Sequence, residues 1–98
     1  MMSELVEIEI AIPTPLRVYV NNQKFVKIQA SNVEECIRKL TEDFKEIKNH
    51  IFDENNKIRS FVNIYLNEND IRHLEDKELT SLKEGQKISI IPSIAGGN

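Results

Sequence analysis

Residues 31–48, SNVEECIRKLTEDFKEIK, carry the long helical pattern of this 98-residue chain. Apolar side chains recur there at intervals of three and four, which places them on one face of an α-helix; they are Val33, Ile37, Leu40, Phe44 and Ile47. Ser31 and Glu34 have the spacing of a capping box, in which a hydroxyl and a carboxylate accept hydrogen bonds from the free N–H groups of a helix N-terminus. The stretch therefore predicts one amphipathic helix from about Asn32 to about Lys48.

The residues before this helix show β patterns. Apolar side chains alternate with polar ones in residues 5–12 and again in residues 26–30, which predicts two strands with one solvent-facing side each. Two prolines within residues 13–15 interrupt the first strand, because proline has no N–H to donate to a sheet. We expect β structure to resume at residues 16–20 and to turn at residues 21–22, two asparagines that tolerate positive φ.

The residues after the helix predict three more extended segments and the turns between them. The extended segments are residues 61–66, 71–74 and 87–92, with Val62, Ile64, Leu66, Ile88 and Ile90 turned inward. The turns are a loop at 50–57, a polar connection at 67–70, a short helical turn at 79–82 and a tight turn at Glu84–Gly85. Segment 87–92 is apolar enough to be covered on both sides, so we expect it to lie centrally in the sheet.

This order of elements predicts an α+β roll, in which a mixed sheet wraps over one main helix. A chain of 98 residues forms one domain, because single cores split only beyond roughly 250 residues. We predict a folded domain at residues 1–92. Residues 93–98 have no periodicity and are expected to form a flexible C-terminal tail.

Composition and charge narrow the classes of function. The net charge is −3 and acidic and basic residues are interleaved, so we expect no nucleic-acid-binding surface. No apolar stretch approaches the roughly 20 residues that span a bilayer, and the N-terminus lacks a signal-peptide pattern. We therefore expect no membrane contact and a cytoplasmic location.

The cysteine and the histidines give no catalytic or metal-binding motif. Cys36 is the single cysteine, so it can form neither an internal disulfide nor a cysteine metal pair. Its position beside the apolar stripe favours a buried core thiol over a nucleophile. His50 and His73 lack the spacing of metal ligands, and we expect no metal site.

A glycine pair, Gly96–Gly97, stands next to the last residue. Because glycine lacks Cβ, such a segment can enter a narrow channel and expose its carboxyl carbon. A carboxylate must be activated before it can transfer its acyl group, and the chain has no phosphate-binding loop of the nucleotide-binding kinds. The pair indicates a carboxylate that another protein activates with ATP; the alternative is a frayed end without function.

Three stretches together resemble a known family. They are IPTPLR (12–17), FVNIYLNENDIR (61–72) and GQKISIIPSIAGG (85–97). In this order and spacing they resemble the ubiquitin-like sulfur-carrier proteins, which include the small subunit of molybdopterin synthase and the carriers for thiamine and cysteine synthesis. The first stretch and the long segment 50–60 look closest to the cysteine-synthesis carrier.

The resemblance implies a β-grasp fold and a sulfur-transfer cycle. An adenylating enzyme of the ubiquitin-activating kind would use ATP to adenylate Gly97, and a sulfur donor would convert the acyl-adenylate to a thiocarboxylate. A sulfur-accepting synthase would then take the sulfur. Gly96 would let the tail enter the channel, and Ile94 and Ala95 would be gripped there. The chain would be a carrier without a bound cofactor and not an enzyme, or else the small subunit of a molybdopterin synthase.

The last residue departs from the family pattern, in which the active form ends at the second glycine. Asn98 would obstruct the channel, so either a peptidase removes it before activation or it is not part of the natural chain.

Phe61, Tyr65 and Ile91 fall on the outward side of their strands and predict an apolar patch for partner docking. The alternative is that the loop at residues 50–60 covers them. The family resemblance leaves the receiving pathway open. Two other functions also remain: a ubiquitin-like modifier joined to lysines through Gly97, and an interaction module with an inert tail.

Overall fold

A computed structural model describes residues 5–93 of the chain. The strands are β1 (Val6–Ala11), β2 (Phe25–Ala30), β3 (Val62–Leu66), β4 (Asn69–Asp70) and β5 (Lys87–Pro92). The α-helices are α1 (Val33–Asp43) and α2 (Lys48–Ile51), and short 3-10 helices lie at Thr14–Val20, Lys45–Ile47, Ile71–His73 and Lys77–Leu79. Apart from Ser93, the predicted flexible tail lies outside the described residues.

The five strands form one mixed sheet in the order β2-β1-β5-β3-β4. The last strand, β5, is central: it runs parallel to β1, where Ile10 pairs with Ile88, and antiparallel to β3, where Ile64 pairs with Ile90. The predicted mixed sheet with a central C-terminal strand is confirmed. Among residues 5–93, none of the helices has the length and hydrophobicity that crossing a membrane requires.

The core lies between one face of the sheet and α1. Every second strand residue points into it, as the alternation predicts, and the apolar stripe of α1 meets them. The side chains with no exposed surface include Ile8, Ile10, Val33, Ile37, Leu40 and Ile88. Full burial of one such aliphatic side chain contributes about 1.5–3 kcal/mol to stability.

The start of α1 differs from the predicted capping box by one residue. The side chain of Asn32 accepts a hydrogen bond from the Glu35 N–H at 2.8 Å, and the Glu35 carboxylate accepts from the backbone and hydroxyl of Ser31. The predicted Ser31–Glu34 box is therefore wrong. Asparagine caps helices as well as serine does, and this register makes the fully buried Val33 the first helical residue.

The predicted long helix is broken at Phe44. This residue takes φ −127° and ψ 83°, which ends α1 at Asp43 instead of about Lys48. A 3-10 turn and α2 continue in its place, and they bury Ile47 and Ile51. The apolar stripe thus stays on the core although the helix axis does not continue.

Two segments that were predicted to be extended are helical instead. Residues 16–20 are 3-10 helical instead of extended, because Pro15 has the φ of a first helical turn and Leu16 and Val20 are both buried. Residues 71–73 are also 3-10 helical instead of extended, with Asp70 accepting a capping hydrogen bond from the Arg72 N–H at 2.9 Å.

The helical turn expected at 79–82 lies at Lys77–Leu79, and Ser81 instead forms an isolated bridge with Asn32. The tight turn at Gly85 is confirmed, with φ +85°.

Candidate functional site

The segment that leads to the glycine pair starts at the end of the central strand. Ser93, which follows β5, donates its backbone N–H to the Phe61 carbonyl at 2.6 Å. Its hydroxyl accepts a hydrogen bond from the side-chain amide of Asn63, also at 2.6 Å. Residue 93 is therefore tied to the beginning of β3 by both backbone and side chain. The predicted site residues Ile94, Ala95, Gly96 and Gly97 lie outside the described residues.

A chain of polar side chains orients Asn63. The Arg72 guanidinium donates to the Asn63 side-chain oxygen and, at 3.2 and 2.8 Å, to the two carboxylate oxygens of Asp70. Because a guanidinium only donates hydrogen bonds, Asn63 must turn its oxygen toward Arg72 and its NH₂ group toward Ser93. The order Asp70–Arg72–Asn63–Ser93 thus fixes which atoms hold the root of the tail.

Because Asp70 stays charged, this network of side-chain hydrogen bonds does not change with pH near neutrality. Hydrogen bonds from the Arg72 side chain and backbone lower the pKa of the Asp70 carboxyl to about 2. The carboxylate therefore stays ionised and keeps Arg72 in place. Sequence reasoning missed Asn63, Arg72 and Ser93; the available signal was the Asp-x-Arg spacing at residues 70–72, which allows a side-chain cap and an ion pair together.

The predicted apolar patch faces outward beside the same end of β5. Asn63 pairs with Ile91, so Phe61 and Tyr65 lie diagonally across from Ile91, within reach of long side chains. Phe61 is 56% exposed and Ile91 46% exposed, while Tyr65 is half-buried.

The alternative in which the 50–60 loop covers this patch is contradicted. Two apolar residues of that loop turn to the core instead: Phe52 is buried, and Ile58 packs against the core and bridges to Phe52.

The outer face is charged at the opposite end of β5. Glu9 of β1 pairs in register with Lys27 of β2 and with Lys87 of β5, and the Lys87 ammonium lies 3.8 Å from the Glu9 carboxylate. Polarity therefore changes along β5, from a charged row at its start to the apolar patch at its end.

Cys36 is buried in the core, as predicted. Burial raises the pKa of its thiol to about 12, so the thiol stays protonated and is no nucleophile. His50 stacks on Tyr19 with 4.5 Å between ring centroids. Within residues 5–93, no three His, Cys, Asp or Glu side chains come together in a way that could hold a metal ion.

Comparison with known proteins gives consistent matches. The chain matches the model of the ThiS family over residues 10–97. The sulfur carrier protein CysO of Mycobacterium tuberculosis is 30% identical over 92 residues, which cover 92% of this chain and 98% of that protein.

Two solved structures show the same fold. A chain of the Amycolatopsis orientalis BexX/CysO complex matches with a TM-score of 0.79 and 30% identity, covering 94% of this chain and 99% of its own length. The small archaeal modifier protein 1 of Methanosarcina acetivorans matches with a TM-score of 0.84 and 26% identity, over 95% of this chain and 98% of its own. The resemblance to ubiquitin-like sulfur carriers is confirmed: the chain belongs to the ThiS family and has the ubiquitin-like β-grasp fold.

Proposed function

We propose that this chain carries sulfur as a thiocarboxylate on Gly97. The match to the ThiS family carries the proposal, because it extends through residue 97 and so includes the Gly96–Gly97 pair. A relative of nearly the same length is a sulfur carrier protein by name. Sulfur carriers of this family are carriers and not catalysts, so the activating chemistry is assigned to partner proteins.

The cycle has three steps. The Gly97 carboxylate attacks the α-phosphate of ATP in an adenylating enzyme of the ubiquitin-activating kind, and pyrophosphate leaves. A sulfur donor then delivers sulfide to the acyl carbon, and AMP leaves, which gives the thiocarboxylate. The thiocarboxylate sulfur finally attacks an electrophilic carbon of the acceptor synthase's substrate, which either adds it across a double bond and takes up a proton or expels a leaving group. Water then hydrolyses the resulting thioester, which frees the thiol product and returns the carboxylate.

The outward patch of Phe61, Tyr65 and Ile91 serves as the docking surface for the adenylating enzyme. It is exposed, apolar and next to the strand from which the tail leaves. Binding through the tail alone would bear the full entropy cost of ordering it, so a second contact on the folded body strengthens the complex. Ile94 and Ala95 are the residues that the enzyme channel grips. A related chain is found in the complex named BexX/CysO, which supports binding to a partner protein.

The acceptor is assigned to cysteine synthesis in the cytoplasm. The support is the similarity to CysO together with the opening stretch at residues 12–17. A putative molybdopterin converting factor subunit of Pyrococcus furiosus is only 18% identical, so that likeness shows the fold alone and gives no support for a synthase subunit. In this scheme a peptidase removes Asn98 before Gly97 is adenylated.

Intact mass spectrometry tests the proposal. The chain ending at Gly97 is incubated with ATP, sulfide and a candidate adenylating enzyme encoded near its gene. We expect the mass gain of one sulfur-for-oxygen exchange, and no gain when ATP is omitted or when Gly96 and Gly97 are deleted. A gain that persists in the deletion variant would contradict the assignment to Gly97. The full chain with Asn98 should gain mass only after a cell extract has removed that residue.

A second candidate function is conjugation to lysines as a ubiquitin-like modifier. The similarity to small archaeal modifier protein 1 favours it, because the same adenylated glycine can react with an amine. Digestion of cell proteins would then reveal lysines joined by isopeptide bonds to the Gly96–Gly97 remnant. Finding such adducts in amounts that exceed the thiocarboxylate would favour the modifier over the carrier.

A further inference from the structure

A cleft of about 530 Å³ opens beside the root of the tail, on the inner side of β3. Its floor is apolar and includes Val62, Ile64 and Ile71. The helix α1 packs against β2 and has few contacts with β3, so other segments cover β3. These are residues 52–60 and the 3-10 turns at 71–79, which leave the cleft between them. No sequence pattern predicts this cleft, because its walls come from segments far apart in the chain.

The walls of the cleft carry positive charge in an acidic protein. Its lining includes five of the 13 Lys and Arg residues but only two of the 16 Asp and Glu residues, so its formal charge is +3 in a chain of net charge −3. The cationic residues are Arg38, Lys57, Arg59, Arg72 and Lys77. The cleft thus has a local excess of positive charge, opposite in sign to the net charge of the protein. Such an excess favours an anionic partner.

Besides Arg72, which Asp70 and Asn63 hold, two of these cations are fixed in position by bonds within the protein. Arg38 pairs with Glu34 at 3.2 Å, donates to the Asn56 carbonyl at 3.1 Å and lies over the Phe52 ring, 4.9 Å from its centroid. The Arg59 Nε donates to the Asn49 carbonyl at 2.8 Å. Each guanidinium has five N–H groups, so both keep donors for a ligand.

The two lysines are free for a partner. In the part of the chain that the structure describes, the ammonium groups of Lys57 and Lys77 take part in no ion pair or hydrogen bond. The cleft therefore combines an apolar floor, three held guanidinium groups and two uncommitted ammonium groups.

We propose that this cleft binds an acidic segment of the protein that receives the C-terminal tail. The segment would place carboxylates on the cationic walls and an apolar side chain on the floor. The lining holds five cationic side chains that come from chain positions between 38 and 77, and five charges fit several carboxylates along a peptide better than one small anion. Identifying the occupant as the tail's partner rests on the proposed function.

The position of Arg72 links the cleft to the tail. Arg72 lines the cleft and also orients Asn63, which holds Ser93 at the root of the tail. Ser60, another lining residue, directly precedes Phe61 of the docking patch. A partner that draws in the tail therefore lies close enough to reach the cleft. Opposite charge on such a segment would also speed the first encounter of the two proteins.

NMR titration of the ¹⁵N-labelled full chain tests the site directly. The probe is acetyl-Glu-Leu-Glu-Leu-Glu-amide, and the matched peptide with Gln in place of Glu is the control. We expect the Glu peptide to shift amide signals of residues that line the cleft, and the Gln peptide to shift them far less. K57E should weaken binding by about three- to fivefold, since it replaces one exposed positive charge with a negative charge. The matched variant K24E, at an exposed lysine away from the cleft, should bind as the wild type does.

Three outcomes would overturn the proposal. The Glu peptide could leave the cleft signals unmoved, both peptides could shift them equally, or free glutamate could reproduce the shifts at the same concentration, which would indicate a small-anion site. The titration does not involve the tail chemistry, so its result is independent of the thiocarboxylate.

Kinetics with the adenylating enzyme test the identity of the partner. K57E should raise KM for the carrier by a similar factor with kcat unchanged, and added salt should narrow the difference from the wild type. Equal KM values in the two proteins would refute this partner while leaving the carrier function intact. Absence of a thiocarboxylate on the wild-type chain would instead refute the proposed function.

Discussion

The side-chain amide of Asn63 donates a 2.6 Å hydrogen bond to the hydroxyl of Ser93, 30 residues later in the chain. Asn63 lies on the outward side of β3, and Ser93 follows the central strand β5. The bond therefore holds the point at which the tail leaves the sheet. Arg72 sets the orientation of the Asn63 amide, so the position of Ser93 depends on a residue that does not touch it.

Replacing Asn63 with leucine should loosen Ser93 and leave the sheet folded. The residue faces outward, so its loss should lower the free energy of unfolding by no more than about 1 kcal/mol, the value of a typical hydrogen bond. Backbone amide exchange at Ser93 should become faster than in the wild type. S93A should have the same effect, and the double variant should add little to either change. Additive effects in the double variant would show that the two residues act separately.

Asp70 should stabilise the fold only where it is ionised. Its pKa is lowered from 3.8 to about 2 in the folded chain, so the unfolded chain binds a proton more readily in this range. The contribution is complete above the unfolded pKa and is lost as the pH falls toward 2. Urea unfolding should therefore show D70N as less stable than the wild type at pH 7, with the gap closing under acid conditions. A gap of constant size at all pH values would contradict this role.

Cys36 should react with alkylating agents only when the chain unfolds. Its thiol is buried and its pKa is about 12, so almost no thiolate is present near neutral pH. Iodoacetamide at pH 8 should label the native protein far more slowly than the protein in denaturant. C36A should carry sulfur as well as the wild type does. Rapid labelling of the native chain, or loss of thiocarboxylate in C36A, would show that the thiol is accessible or active.

The cap of α1 can be distinguished from the predicted one by mutation. N32A should lower the free energy of unfolding by about 1 kcal/mol, as the loss of a helix cap usually does. E35A should also destabilise, because it removes both bonds to Ser31. E34A removes only a half-buried pair with Arg38 and should cost less than about 0.5 kcal/mol. Thermal denaturation would measure all three, and a larger loss for E34A than for E35A would restore the predicted Ser31–Glu34 box.

The docking patch can be tested with charge substitutions at two exposed apolar residues. F61E should raise KM for the adenylating enzyme by at least about tenfold, because a charge would enter an apolar contact. L5E is the matched control: Leu5 is 54% exposed, against 56% for Phe61, and it precedes β1 at the end of the sheet opposite the root of the tail. Both variants should fold, as judged by circular dichroism. Equal KM values for the two variants would place the docking surface elsewhere.

The strands and the core could be predicted because they depend on local alternation. Val62, Ile64 and Leu66 alternate with polar neighbours and are all buried, and β5 is central as its apolar content indicates. One local prediction, the cap of α1, had a near-equal alternative. Both Ser31 and Asn32 are good caps with a glutamate three residues later, and the burial of Val33 selects Asn32.

The candidate site could be predicted only in the parts that are contiguous in sequence. The glycine pair can be read directly from the sequence. The alternation of residues along the strands predicts that Phe61 and Ile91 face outward. The hydrogen bond from Asn63 to Ser93 and the cationic cleft depend on how strands and turns distant in the chain are placed beside each other. Such arrangements follow from the tertiary fold and leave no periodic signal.

The fixed position of Ser93 sets a limit on distance. Four residues separate Ser93 from the acyl carbon of Gly97, counting Gly97 itself. A fully extended chain covers at most about 3.6 Å per residue, so that carbon can lie no farther than about 14 Å from Ser93. The catalytic centre of any enzyme that modifies Gly97 must therefore lie within this radius while its surface touches the sheet. The length of chain after Ser93 thus limits how long an entrance passage can be in any enzyme that modifies Gly97.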